Sequence, residues 1–322
     1  MEPVKKVALF LRAVDNEYQE AQKADFLTRA DLHGYSAVVV DADNDPLRQR
    51  RQIDDVLRAP EPFAAFLAQP VQEAGLKTAA VEAVRRGIGW VTLNRFSEYV
   101  RELRSAQTRV PVFCVDPDQN QIGLLQGRQA LILLPKGGTL FYLGGPPVTS
   151  SARRRLAGTE IALAGAPIQM IAATGDWTTQ SGFDATQLWL RSDPPRDCRH
   201  VVVGSQNDAM ALGAHKALLE EAKARSRPEL GEIPITGCDG LPSGGQRWVA
   251  SGILRATVVM PTTAGVAVDL LASAWATGHG PPTDVVLEVT SFPDLDALAR
   301  TLRPSASPPR HGARRARKPR DK

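Results

Sequence analysis

Gly175-Asp176-Trp177-Thr178-Thr179-Gln180-Ser181-Gly182-Phe183, Asn207-Asp208-Ala209-Met210-Ala211-Leu212-Gly213-Ala214 and Cys238-Asp239-Gly240 follow one another at near-equal spacing. Each comes after a short apolar run, at residues 168–172, 200–204 and 233–237. A run of strand character that repeatedly gives way to turn and helix-forming residues is the pattern of a parallel sheet with crossover helices. In such sheets the residues just past the carboxyl ends of the strands project into a common crevice. An aromatic ring at Trp177, an amide at Asn207 and a carboxylate at Asp239 are therefore expected to converge.

The same alternation extends outward through most of the chain. Further strands are expected at 7–11, 37–40, 63–67, 89–93, 110–115, 139–143, 256–259 and 285–289. With the first three runs this makes eleven, too many for one open sheet of ordinary width, so two sheets are expected. Asn207 and Asp208 open one helix by capping, and Ala, Leu, Lys and Glu carry it through Ala222. Asp45-Pro46 starts another that reads to Leu57, with Leu47, Ile53 and Leu57 on its apolar stripe. Pro111, Pro117, Pro234 and Pro261 fall at strand edges.

With 322 residues, 43% of them apolar and 23% charged, the chain can bury two modest cores. No stretch reaches the roughly 20 apolar residues of a membrane span, and 7–11 is too short for the core of a signal peptide. As written the chain is expected in the cytoplasm, and in the periplasm or cell envelope if the true start lies upstream. Cys114, Cys198 and Cys238 have neither disulfide nor metal-ligand spacing and read as small buried apolar residues. Residues 303–322 hold eight Lys or Arg and one Asp, a net +7 against +4 for the whole chain, which leaves the remainder at −3. That tail is expected to be disordered and solvated, and no specific nucleic acid is expected as a partner.

His33, His200, His215, His279 and His311 form no metal motif, and no Gly-x-Ser-x-Gly elbow occurs. Lys136-Gly-Gly and Gly144-Gly-Pro-Pro lack the endings of phosphate-binding loops. No catalytic residue, cofactor or metal is expected.

Four motifs, Ser151-Ala-Arg-Arg-Arg155-Leu-Ala-Gly158, Gly175-Asp-Trp177, Asn207-Asp-Ala-Met-Ala-Leu-Gly213 and Gly237-Cys-Asp239-Gly240, occur in one order over the second half of the chain. In that order and spacing the chain resembles the type I periplasmic sugar-binding protein superfamily, which includes the ligand-binding half of lactose-repressor-type regulators. The likeness runs from about Val7 to Val289. It implies an α/β fold of two Rossmann-like lobes with parallel sheets, joined by a three-strand hinge. Mapped onto this chain, the N-terminal lobe takes 1–115 plus 261–284 and the C-terminal lobe 116–260 plus 285–302. The crossings are expected near 115–117, at Met260-Pro261 and near Val285.

The resemblance also implies non-catalytic binding of a small sugar or polyol between the lobes. Sugars present apolar C–H faces and adjacent hydroxyls, which rings and planar polar forks match. Arg155, Asn207 and Asp239 are the forks of one lobe and Trp177 its ring. On the other lobe Asn94-Arg95 stands where the family has an Asp-Arg pair, Asn16 and Tyr18 lie in the first loop, and Gln69 ends the third strand. Met260 replaces a polar hinge residue and offers soft packing instead of hydrogen bonds. The implied role is that of the solute-binding protein of an ABC-type sugar uptake system, with a permease or a signalling partner. A stand-alone sugar-sensing domain without a DNA-binding segment is the alternative, and a sugar-modifying enzyme is the reading from a different class.

Overall fold

The computed structural model describes residues 4–106, 109–192 and 197–302. The basic segment 303–322 lies outside the described residues. Twelve strands are present among them: β1 (Lys6–Leu11), β2 (Ser36–Asp41), β3 (Ala65–Ala68), β4 (Gly89–Leu93), β5 (Val112–Pro117), β6 (Gly138–Gly144), β7 (Ile168–Thr174), β8 (Val201–Ser205), β9 (Ile235–Asp239), β10 (Ala256–Val259), β11 (Asp284–Leu287) and β12 (Thr290–Phe292). The helices are α1 (Glu17–Leu32), α2 (Pro46–Leu57), α3 (Lys77–Arg85), α4 (Glu98–Ala106), α5 (Gln119–Leu133), α6 (Ser150–Leu163), α7 (Thr179–Ser192), α8 (Asp208–Ala224), α9 (Gly245–Ala250), α10 (Thr263–Thr277) and α11 (Leu295–Thr301).

The strands form two six-stranded sheets, ordered β11-β5-β4-β3-β1-β2 and β12-β10-β9-β8-β6-β7. Their pairings are parallel except β10 with β12. Parallel strands are covered on both faces, which is why β1, β3, β4, β8 and β9 are buried along nearly their whole length rather than at alternate residues. The first sheet separates a cluster around Phe10, Phe66 and Trp90 from one around Leu9, Leu67 and Val268. Clusters around Trp189 and around Tyr142 do the same for the second sheet. Another cluster joins the lobes, setting Tyr18 of α1 among Ile122, Leu125, Cys238, Val258 and Met260.

The chain leaves the first sheet after Pro117, returns after β10, and leaves again after Leu287. Residues 285–287, assigned from the sequence to the C-terminal lobe, instead run beside β5, with Val285 opposite Val115 and Leu287 opposite Pro117. The side chains of Val285 and Leu287 pack on the first core while Val286 faces outward, and this moves the third crossing to the residues before Thr290. β12 was not expected at all, being three residues long and antiparallel. The third strand begins at Ala65 rather than 63. Leu47 does not join the apolar stripe of α2: it is 66% exposed, and the helix buries Gln49, Ile53 and Leu57. The start of that helix is as read, with the Asp45 carboxylate accepting from Leu47 and Arg48 N–H ahead of Pro46.

One helix pair places the site. A Cβ on Gly123 of α5 would stand 2.0 Å from the Arg155 carbonyl oxygen, and one on Gly158 of α6 would stand 2.3 Å from the Asn120 carbonyl oxygen. Backbone therefore meets backbone, and Arg155 is held against the hinge side of its lobe. Gly158→Ala is expected to destabilise the protein by about 1–3 kcal/mol, since a methyl there has to push two backbones apart. Urea unfolding checks this; a midpoint equal to that of the wild type would contradict the close approach.

Candidate functional site: a cleft between the lobes

The carboxyl ends of strands from both sheets face each other across a narrow cleft with about 40 Å³ of free space. Asn16, Tyr18, Gln69, Asn94, Arg95, Arg155, Trp177, Asn207, Asp239 and Met260 all line it. Arg12, Gln19 and Ser151 line it too and were not singled out from the sequence. Signals for them were nonetheless present. Arg12 directly follows β1, Gln19 lies three residues after Asn16 at the start of α1, and Ser151 lies one turn before Arg155 on α6.

Arg155 is the most constrained of these groups. Its Nε donates to Gln119 Oε1 at 2.7 Å, and one terminal nitrogen donates to the Gln206 carbonyl. The guanidinium also touches Cys238 Sγ at 3.6 Å and Met260 Sδ at 3.4 Å, and lies 5.6 Å from the centre of the Trp177 ring. Met260 thus does pack softly, against a cation rather than against apolar neighbours alone. Of its neighbours in sequence, Arg153 is exposed and Arg154 stacks on Phe96 outside the cleft.

Asn207 has two functions. Its Oδ1 caps α8 by accepting the Met210 N–H at 3.0 Å, while Nδ2 donates to the Trp177 carbonyl at 2.9 Å. That second bond holds Trp177 at φ +77°, and Gly145 lets the ring lie flat on the backbone beneath it. Gly145, in a glycine pair that lacks the ending of a phosphate-binding loop, is thus the seat of the tryptophan. Asn94 at φ +56° and Asp239 at φ +122° share this unfavourable region. Three non-glycine residues in it, each costing about 1–3 kcal/mol, mark a wall shaped for something other than stability.

On the first lobe, Asn94 accepts from Gln22 Nε2 at 3.0 Å and from the Thr263 hydroxyl, and its Nδ2 lies 3.1 Å from the Tyr18 hydroxyl. Tyr18 in turn donates to the Pro261 carbonyl at 3.0 Å. An amide at position 94 can donate and accept in this network, which a carboxylate cannot. Burial raises the Tyr18 pKa, so its hydroxyl stays protonated. Asn16 caps α1 by accepting the Gln19 N–H at 3.1 Å. Gln69 and Gln19 are both buried, and their Oε1 atoms find no hydrogen-bond partner among the described residues.

Charged groups converge here as well. Arg12 pairs with Asp15 at 2.9 Å. Arg95 donates to Ser151 Oγ across the cleft, and burial lowers its pKa to about 10, leaving it charged at neutral pH. The Asp239 carboxyl is raised well above the usual range, first by burial and then by the charge of Asp208, with Arg155 opposing. Among the described residues no cluster of three or more His, Cys, Asp or Glu is arranged to hold a metal ion.

The fold and this cleft agree with the similarity to known proteins. Residues 7–278 match the family model for the periplasmic binding protein domain. The chain belongs to that family. It is 27% identical over 254 residues to the ribose import binding protein RbsB of Salmonella typhimurium, covering 78% of each chain. To the D-ribose/D-allose-binding protein of Pseudomonas aeruginosa it is 24% identical over 242 residues, 73% of this chain and 71% of the other. In structure it resembles an ABC transporter solute-binding protein of Mycobacterium smegmatis with bound glycerol, at a TM-score of 0.77 and 23% identity, covering 94% and 98% of the two chains. It also resembles the myo-inositol-binding protein of Caulobacter, at 0.75 and 19%, covering 93% and 96%. The two lobes with parallel sheets are thus those of the type I periplasmic binding protein fold.

The seat of the tryptophan is testable alone. A Cβ on Gly145 would fall 2.0 Å from Trp177 Cζ2. Gly145→Ala is expected to displace that ring, change the intrinsic fluorescence and cost about 1–3 kcal/mol of stability. Fluorescence and unfolding curves identical to those of the wild type would show that the ring does not rest there.

Proposed function

We propose that this protein captures a small sugar or polyol reversibly and without chemical change, in the cleft between its lobes. The observation that carries this reading is the chemistry of the lining. Arg12, Arg95, Arg155, Asn16 and Asn207 supply planar donors, Asp239, Gln19 and Gln69 supply acceptors, and the Trp177 ring supplies an apolar face. A guest that offers several hydroxyls, each able to donate and accept, matches that set. Relatives named for ribose import and for ribose and allose binding support the same class of guest.

Direct contacts between the lobes support hinge closure as the output. The Glu73 carboxylate accepts from Ser150 N at 2.8 Å and from Ser150 Oγ at 2.7 Å, and Arg95 reaches Ser151. A ligand that touches both lobes favours the joined arrangement by its differential affinity. In this reading the joined shape is what a permease of an ABC-type uptake system recognises and the protein works in the cell envelope, a role that relatives named for ribose import support. A sensing role with a signalling partner is the second reading. No helix among the described residues is long and apolar enough to cross a membrane.

A thermal-shift screen across pentoses, hexoses, polyols and nucleosides tests the class of guest, because a ligand selective for the native state raises the melting temperature. Stabilisation by nucleosides alone, or by nothing, would defeat the reading. With the best sugar, Trp177→Ala and Asp239→Ala are each expected to weaken binding by about 1–3 kcal/mol in calorimetry. Small-angle scattering is expected to show compaction at saturating sugar, and an unchanged profile would speak against closure.

A further inference from the structure

Asp208 is the first residue of α8, and its carboxyl is buried behind the cleft wall. Oδ2 accepts the Gly240 N–H at 2.8 Å, and Oδ1 lies 2.8 Å from the Thr257 hydroxyl on β10. Space for this carboxyl is made by two glycines: a Cβ on Gly237 or on Gly245 would stand 2.1 or 2.0 Å from its oxygens. Asp208 therefore holds the turn that carries Asp239, the carboxyl facing the cleft. Among the described residues neither Asp208 nor Asp239 forms an ion pair. The charged and titratable groups around them are Glu17 of α1 toward Asp208, Cys238 of β9 beside both, and Tyr18 of α1, Arg155 of α6 and Arg12 after β1 toward Asp239.

We propose that Asp208 is a positioning residue that retains one proton for the carboxyl pair, so that Asp239 alone carries the negative charge met by ligand hydroxyls. The geometry admits this without rearrangement. A protonated Oδ1 donates to Thr257 Oγ1, because a hydroxyl accepts as readily as it donates, and Oδ2 still accepts from Gly240. Two buried like charges cannot both be held cheaply, and Arg155 lies on the side of Asp239. Burial pushes both carboxyls above the ordinary range, the charge of Glu17 adding to the rise at Asp208 and that of Asp208 to the rise at Asp239. The sign for stability follows. A carboxyl raised in the folded state contributes stability that is full below its unfolded value of about 4 and is lost as pH rises toward and past neutrality.

Asp208→Asn is the test, since its amide can accept from Gly240 and donate to Thr257 as the protonated acid does. The first readout needs no ligand. Between about pH 5 and pH 8 the melting temperature of the wild type is expected to fall more steeply with rising pH than that of the variant. Equal slopes would overturn the proposal. The second readout rests on the sugar-capture reading and uses D-ribose, titrated calorimetrically in two buffers of different ionisation enthalpy. The wild type is expected to exchange protons on binding, and the variant to exchange fewer while keeping its affinity at neutral pH. A variant that binds ribose more weakly at every pH with unchanged proton exchange would make Asp208 a packing residue only. If ribose does not bind the wild type, the sugar reading is what suffers, and the unfolding slopes still decide this one. Should the variant not fold, infrared spectra of the wild type decide: a protonated-carboxyl band persisting at neutral pH supports the pair, and its absence refutes it.

Discussion

A guanidinium that cannot turn is the constraint around which the second lobe's wall is built. Arg155 is held by the Gln119 side chain, by the Gln206 backbone and by contact with two sulfur atoms. Gln119 is itself fixed, because its Nε2 donates to Asp116 Oδ1 at 2.7 Å. Asp116 stands on β5 at the first crossing between lobes, where burial raises its pKa to about 6. A path of short hydrogen bonds thus runs from the hinge to the cleft. The path exists because Gly123 and Gly158 let α5 and α6 touch through their backbones. A planar fork held this firmly loses little freedom when it meets a guest, and this is what pre-organised polar recognition requires.

The two lobes contribute differently. The second supplies the rigid fork, the strained ring and the carboxyl. The first supplies groups tied into one another, with Asn94, Tyr18, Gln22 and Thr263 closing a buried network that reaches the Pro261 carbonyl at the second crossing. Tyr18 is therefore less a free stacking face than a strut, since its ring lies in the apolar cluster shared by both lobes. Where the lobes meet at the mouth of the cleft, Glu73 lies against the N-terminus of α6, where a carboxylate is favoured by the unsatisfied N–H groups.

Much of this was legible in the chain. Apolar runs bounded by turns brought the strand count to within one, and the strand-end rule put Trp177, Asn207 and Asp239 on a shared cleft, while the other seven lining residues came from the family resemblance. The misses have physical causes. Leu47 fits a helical stripe in sequence, yet nothing of the core reaches that face. β12 is too short to give a periodic signal, and its pairing is with β10. Residues 285–287 look like the start of the next lobe only until β5 is seen beside them. Arg12 reads as any surface arginine until Asp15 and Asn44 turn it inward.

Local chemistry determined the elements: alternating strand and helix, caps at Asp45 and Asn207, and polar or aromatic residues where strands end. Those features depend on near neighbours, so a linear reading reaches them. The pairing of α5 with α6, the seat of Trp177 on Gly145, and the meeting of Asp208 with Asp239 were decided only by the tertiary structure. Each joins segments that are distant along the chain through a contact of a few ångströms, and no pattern of neighbours encodes such a distance.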